Sequence, residues 1–327
     1  MTAPLTIQVV SDGRAGIENQ ALGLAEAVQR LTPARITVKR VRWRTAFDKL
    51  PSTLKADWML DPASDRIAPQ AGEAWPDLWI ATGRATLPLS ARVKTRSGGR
   101  TFVVQTQDPR WRTGAYDLVV APAHDGLSGP NVLSITGSPH RVTPARLAEG
   151  AAAFEAALSP LPRPHVAALV GGRSMAFDLP EEHAADMAER IAAAVSGAGG
   201  SLMLTFSRRT PEAAKQVITA RLASLSGMIW DGTRPNPYFA FLNFADHVLV
   251  TEDSANMAAE AASTGKPVHI LPMIPLKPAG KFERLHADLR ERGAARPFDG
   301  TLNGWSYEPL NETERAARAV LERMGRL

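Results

Sequence analysis

Along this chain, short apolar runs alternate with polar turns and with longer stretches in which apolar residues recur at helical spacing. Runs at residues 5–10, 78–81, 101–105 and 117–122 are short and mostly apolar, as strands buried on both faces are, and 35–41 reads as a further strand. The first leads into Ser11-Asp12-Gly13-Arg14-Ala15-Gly16 and then residues 18–31, where Ala21, Leu22, Leu24, Ala25 and Val28 share one side of a helix. The same order restarts with a strand at 165–170, a turn at Gly171-Gly172-Arg173-Ser174 and a helix at 180–196, followed by strands at 201–206 and 228–230. Strand, turn and helix in succession predict an α/β protein with parallel sheets. No repeat of short fixed period underlies the pattern, so a solenoid or propeller is not expected.

The restart divides the chain. An Ala-rich helical stretch at 144–158 is followed by Pro160, Pro162 and Pro164, which read as a stiff linker. The expected organisation is a first domain at 1–158, a linker at 159–164, a second domain at 165–304, and a C-terminal helix within 305–327 that crosses back to the first. At 327 residues, 44% of them hydrophobic, the chain can fill two cores.

The best-defined stretch is 247–272, HVLVTEDSANMAAEAASTGKPVHILP, which reads as one strand-helix-strand unit. Thr251, Asp253 and Ser254 offer capping oxygens to a helix at 255–263, and Gly265-Lys266-Pro267 ends it. Asp253, Asn256 and Glu260 fall on one stripe of that helix, starting at the end where unpaired N–H groups favour anions. The stripe is read as a ligand face; the plainer alternative is a helix cap followed by a solvated carboxylate. Upstream, residues 201–206 run into Arg208 and Arg209, with Thr210 as N-cap and Pro211 as first helical residue. Forked guanidinium donors at a helix start suit a diphosphate, although either arginine alone can instead pair with a carboxylate.

Here the motifs carry a resemblance. T-E-D-S-x-x-M-x-x-E-A-x-x-T-G-K-P-V is similar to the donor-nucleotide unit in the second domain of GT-B glycosyltransferases, and more narrowly resembles the ELM1 family. The opening SDGRAGIENQALGL matches that family's S-D-G-x-x-G-H-E-N-Q-x-L-G-L except for Ile17 in place of histidine. The segments G-R at 83–84, Q-x-Q-D-P-R at 105–110, P-x-H-D at 122–125 and N-P-Y at 236–238 resemble family motifs as well. The resemblance implies a GT-B-like fold, two Rossmann-like domains whose parallel sheets face a central cleft. It implies that Gly171, Gly172, Ser174, Arg208, Arg209, Thr251, Asp253, Ser254, Asn256 and Glu260 hold a nucleotide sugar, with Glu260 on the ribose. Acceptor-side residues would be Gly13, Arg14, Gly16, Asn19, Arg84, Gln105, Asp108, His124 and Asp125. With Ile17 removing an imidazole, Asp12 and Glu18 are left as candidate bases. The expected reaction is glycosyl transfer to a cell-envelope or lipid-linked acceptor. The alternatives are a non-catalytic adaptor, as the plant proteins behind the family name recruit a dynamin-related protein, and a nucleotide-sugar epimerase or hydrolase on the same fold.

Composition narrows this further. There is no cysteine, which removes disulfides, thiolate metal sites and cysteine nucleophiles. No D-x-D, H-E-x-x-H, Walker A or G-x-S-x-G motif occurs, so neither a metal nor another cofactor is expected and the departing diphosphate would be neutralised by arginines and helix amides. G-x-G-x-x-G is absent at the opening, which argues against a nicotinamide cofactor. No signal peptide or membrane-spanning run is read, and a cytoplasmic protein, peripheral at the membrane's inner face, is expected. The net charge of +5 comes from the N-terminal half, where Arg30, Arg35, Lys39, Arg40, Arg42, Arg44, Lys49 and Lys55 surround the single acid Asp48, with Trp43 and Phe47 interleaved. An anionic membrane or acceptor can dock there, or the run is a solvated surface; without a nucleic-acid motif, nucleic acid is not expected.

Overall fold

The computed structural model describes residues 3–110 and 112–327. They form two compact units, one running up to Arg141 and including Asn311–Leu327, the other Val142–Leu310. In the first unit, β1 (Leu5–Ser11), α1 (Ala15–Leu31), β2 (Ala34–Arg40), the short α2 (Thr45–Asp48), β3 (Leu78–Thr82), α3 (Leu87–Arg96), β4 (Phe102–Thr106), β5 (Leu118–Pro122) and β6 (Val132–Ile135) follow in order. The sheet is parallel, in the order β2-β1-β3-β4-β5-β6. Leu5, Ile7 and Val9 meet Leu24 and Val28 of α1 on one face, while Val10, Trp79 and Val103 meet Leu89 and Val93 of α3 on the other. Both faces of each central strand are therefore buried, which is why those strands read as continuous apolar runs.

The second unit contains α4 (Pro144–Ala152), α5 (Glu155–Leu158), β7 (His165–Val170), β8 (Phe177–Asp178), α6 (Glu181–Gly197), β9 (Ser201–Phe206), α7 (Glu212–Leu222), β10 (Gly227–Ile229), α8 (Tyr238–Phe244), β11 (His247–Thr251), α9 (Ala255–Ala262), β12 (Val268–Leu271), β13 (Ile274–Pro275), α10 (Gly280–Glu291) and β14 (Ala295–Pro297). Its sheet, also parallel, is ordered β10-β9-β7-β11-β12-β14, and β8 pairs with β13 as a separate antiparallel ribbon. The closing helix α11 (Glu312–Arg323) belongs to the first unit, where Ala316, Ala317, Val320 and Leu321 join the α1 side of the core. Thr136 N–H donates to Glu312 Oε2 (3.2 Å) and His140 N–H to Thr313 Oγ1 (3.1 Å), fastening the start of α11.

Three expectations change. The second unit begins at Val142, not after a linker at 159–164, because α4 packs on α8: a Cβ on Gly150 would stand 2.6 Å from Cβ of Phe239. Leu161 of the proline-rich stretch packs on that unit's core, and residues 305–310 belong to it too. Helix α1 starts at Ala15, three residues before the expected 18, so Gly16 lies inside the helix and not in the turn after β1.

Strand order positions the site. In open parallel sheets, ligands collect beyond the carboxyl ends of the two strands where the order reverses. Those strands are β1 and β3 in the first unit and β7 and β11 in the second.

Candidate functional site

Beyond β7 and β11 the chain closes on itself around one carboxylate. Asp253 is fully buried; its Oδ2 accepts from Gly172 N–H (3.1 Å) and pairs with Arg209 Nη2 (2.7 Å), while its Oδ1 accepts from the Thr251 hydroxyl (2.7 Å). Thr251 Oγ1 in turn accepts from Gly171 N–H (2.7 Å). Only glycine fits on either side: a Cβ on Gly171 would lie 1.9 Å from Asp253 Oδ1, and one on Gly172 2.2 Å from the Arg209 carbonyl oxygen. Thr210, a position the sequence offers as a helix cap, is buried, and its hydroxyl donates to the carbonyls of Val170 (3.2 Å) and Gly171. Helix α7 accordingly has Pro211 as its N-cap residue.

Thr251 and Asp253 are thus fasteners within the protein and not a ligand surface, because every side-chain oxygen of both faces a protein donor or acceptor that burial makes costly to abandon. The amides of Gly171 and Gly172 are likewise taken, as are Arg173 N–H by the Arg209 carbonyl (3.1 Å) and Ser174 N–H by the Phe177 carbonyl (2.9 Å). Ser174 Oγ accepts from the Ala176 and Phe177 amides (3.1 Å each) and organises the turn. What the edge presents outward is cationic: Arg208 is exposed, and Arg209, 44% exposed, directs only part of its fork at Asp253. The amino terminus of α9 adds first-turn N–H groups to the same edge.

Ser254 caps α9, its Oγ accepting from Met257 N–H (3.4 Å). Because Asp253 lies before the helix, the expected stripe is broken: Asp253 turns into the protein, and Asn256 and Glu260, both half-buried, remain on α9. Burial pushes the Glu260 carboxyl up to about 7, opposed by the hydrogen bond it accepts from the Tyr238 hydroxyl. Tyr238 was not singled out as a site residue; it opens α8, and no local spacing links it to Glu260. A cavity of about 600 Å³, within the usual size range of ligand pockets, lies in the same unit, lined by Phe177, Glu252, Met273, Phe282 and His286 among others. Burial raises the Glu252 carboxyl and lowers the His286 imidazole; His286 Nε2 lies 2.9 Å from the Glu252 carbonyl oxygen, and Met273 N–H donates to Glu252 Oε1 (2.5 Å).

The first unit's strand ends gather its candidates differently. Glu18 accepts from the Ser11 hydroxyl (2.7 Å) and from the Arg40 fork (2.9 Å twice), and those Arg40 bonds hold its carboxyl below the usual range. A carboxylate so engaged is a poor base, so Glu18 is a clasp joining β1, α1 and β2. Asp12 pairs with Arg14 (2.6 Å), and Gly13 N–H donates to Ser11 Oγ (3.1 Å). Asp12 and Ile17 both lie beside Gly83, where a Cβ would meet Ile17 Cγ2 at 3.1 Å and Asp12 Oδ2 at 3.7 Å. Gln107 Nε2 donates to Gln20 Oε1 (2.7 Å), tying the loop after β4 to α1. Arg84 is exposed; Asn19 and Asp108 are half-buried, the latter accepting from Arg110 N–H (2.6 Å). Gln105 is buried, its Nε2 donating to the Thr106 carbonyl (3.1 Å). His124, also buried, sits in a single 3-10 turn, 4.0 Å from Asp125 Oδ1. Among the described residues no three His, Asp or Glu side chains converge as metal ligands would, and no helix is long and apolar enough to cross a membrane.

Two parallel six-stranded sheets of this kind define a GT-B-like fold. The chain spans nearly all of the Methanocaldococcus jannaschii UDP-GlcNAc 2-epimerase solved with UDP-GlcNAc and UDP: 97% of this chain and 98% of that one superpose at TM-score 0.53, with 13% identity. The chain belongs to the family described as Mitochondrial fission ELM1, which matches residues 15–324. It is 31% identical to the mitochondrial fission protein ELM1 of Arabidopsis thaliana over 276 residues, covering 75% of this chain but only 63% of the plant protein's length. An uncharacterized protein of Rickettsia prowazekii is 27% identical over 356 aligned positions, covering 97% of this chain and 98% of its own.

Proposed function

We propose that the second unit binds a nucleoside diphosphate sugar and that the protein transfers the sugar, without a metal, to a lipid-linked or cell-envelope acceptor held by the first. The observation carrying this reading is the β7/β11 edge, where Asp253 is consumed internally while Arg208 and the free side of Arg209 face outward and α9 starts two residues after Asp253. Fixed cations and helix amides neutralise a diphosphate both in the bound donor and as it departs. Glu260, oriented by Tyr238, accepts from ribose hydroxyls, with Asn256 and Ser254 alongside. The cavity beside Glu252 and His286 has room for the sugar. Glu18 is held by both Ser11 and Arg40, whereas Asp12 is held by the exposed Arg14, so Asp12 acts as the base near the acceptor loop once an acceptor draws Arg14 away.

The epimerase that shares the fold is itself bound to UDP-GlcNAc and UDP, which supports a uridine nucleotide as the first to test. Calorimetric titration with UDP and UDP-GlcNAc is expected to show binding that Arg208→Ala weakens about tenfold to a hundredfold, the worth of one charged hydrogen bond, with the melting temperature unchanged. Absence of heat with every nucleotide sugar tried would leave the adaptor reading standing. One observation favours a second reaction: Glu252, a carboxyl raised by burial in the cavity, is suited to proton transfer. Epimer or free sugar released without any acceptor would select that chemistry over transfer.

A further inference from the structure

The basic, aromatic-bearing stretch at 30–55 is sorted by the fold into buried and exposed members. Trp43 is buried, its indole N–H donating to the Ala85 carbonyl (2.9 Å). Lys55, 3% exposed, stands over the Trp43 ring and donates to the Asp48 carbonyl (2.8 Å). Arg40 is forked onto Glu18. Trp43 and Lys55 are out of a partner's reach, and Arg40, though largely exposed, is spent on Glu18.

Beyond them, two successive 3-10 turns, Ser52–Leu54 and Asp57–Met59, turn Leu54 (62% exposed) and Trp58 (63% exposed) outward. Trp58 is not a loose side chain: the Phe47 ring meets it edge-on at 5.2 Å, so α2 props it in place. Exposed Arg42, Arg44 and Lys49 come from the same short segment, and Arg44 is anchored by Nε to the Leu60 carbonyl (3.1 Å). The acid next to Trp58, Asp57, is neutralised by Arg92 and Arg96.

We propose that this face docks the protein on an anionic lipid bilayer, with Trp58 and Leu54 entering the headgroup layer and Arg42, Arg44 and Lys49 meeting lipid phosphates. Two apolar side chains are too few to form the core of a stable protein interface. An indole with a propped apolar body and a polar edge, on a segment whose exposed cations Arg42, Arg44 and Lys49 outnumber the exposed acid Asp48, matches the boundary between headgroups and acyl chains. The proposal is independent of the nucleotide-sugar reading, since no residue in it belongs to the β7/β11 edge.

The test is co-sedimentation of the full chain with vesicles of phosphatidylcholine alone or mixed with phosphatidylglycerol. Binding is expected only to the anionic vesicles, falling with added salt. The triple change Arg42→Gln, Arg44→Gln, Lys49→Gln is expected to weaken it about a hundredfold, roughly fivefold per cation, and Trp58→Ala with Leu54→Ser to weaken it at least tenfold. Brominated phosphatidylglycerol should quench wild-type tryptophan emission more than that of Trp58→Phe, a readout that needs no destabilising change. Equal binding to neutral vesicles, no binding to anionic ones, or quenching that Trp58→Phe leaves intact would overturn the proposal. So would salt-sensitive capture of a protein or nucleic acid by this face with no lipid binding.

Discussion

The two units reverse strand order in the same way and finish the reversal point differently. At β1/β3, every acid near the loop is closed by a cation from its own unit: Asp12 by Arg14, Glu18 by Arg40. At β7/β11, Asp253 is closed by only part of the Arg209 fork, and Arg208 is left facing solvent. Both edges keep an exposed arginine, Arg84 after β3 and Arg208 after β9, but at the second the neighbouring Arg209 is also only partly spent, so two adjacent guanidinium groups are offered to an anion there. The difference also separates residues that shape a site from residues that touch its guest.

The sharpest way to break the comparison is at Asp253. Asp253→Ala would leave the buried Gly172 amide and Thr251 hydroxyl without their acceptor, while Arg209, 44% exposed, can turn to water; losing the acceptor of two buried donors costs about 3 kcal/mol. Urea unfolding of the variant should show at least that loss in the transition of the second unit. Wild-type stability with reduced nucleotide affinity would return Asp253 to the ligand surface.

Glu260 gives the next largest effect and sharpens the comparison through pH. Its carboxyl titrates near 7 when folded against an ordinary 4.5, so the folded state holds a proton that the unfolded chain has released between those values. Its stabilising contribution is complete below about 4.5 and is lost as pH rises through 7, on the order of 2 to 3 kcal/mol in all. Glu260→Gln should remove that decline in a pH series of unfolding midpoints. UDP affinity should move the opposite way and strengthen as pH rises through 7, because the ionised carboxylate is the better acceptor for ribose hydroxyls.

Much of the frame was legible because it is local. The runs at 165–170 and 201–206 coincide with β7 and β9, since continuous burial on both faces leaves an unmistakable apolar signature. Ser254 announces α9 for the same reason, a cap acting within one turn. Short edge elements such as β14 and the β8–β13 ribbon carry too few residues to show a period. The site was harder because its geometry depends on distant chain. Asp253 reads as a helix-stripe acid until Gly172, 81 positions earlier, is seen donating to it. Tyr238 and Arg40 bond Glu260 and Glu18 from 22 residues away in each case, and no spacing rule connects them.

Glu18 supplies the smallest effect and the opposite sign. Arg40 holds its carboxyl below 4.5, so its contribution is present above that value and lost as pH falls through the folded-state titration. Glu18→Gln should therefore flatten the acid limb of the first unit's stability profile and leave the second unit's neutral limb, where Glu260 acts, unchanged. Because Arg40 is largely exposed, water replaces much of what the clasp gives up, and the loss at neutral pH should fall well short of that for Asp253→Ala. If instead Glu18→Gln abolished transfer to an acceptor while unfolding and UDP binding stayed as in the wild type, Glu18 would be acting on substrate. The β1/β3 edge would then be the catalytic one, with its ion pair opening during the reaction.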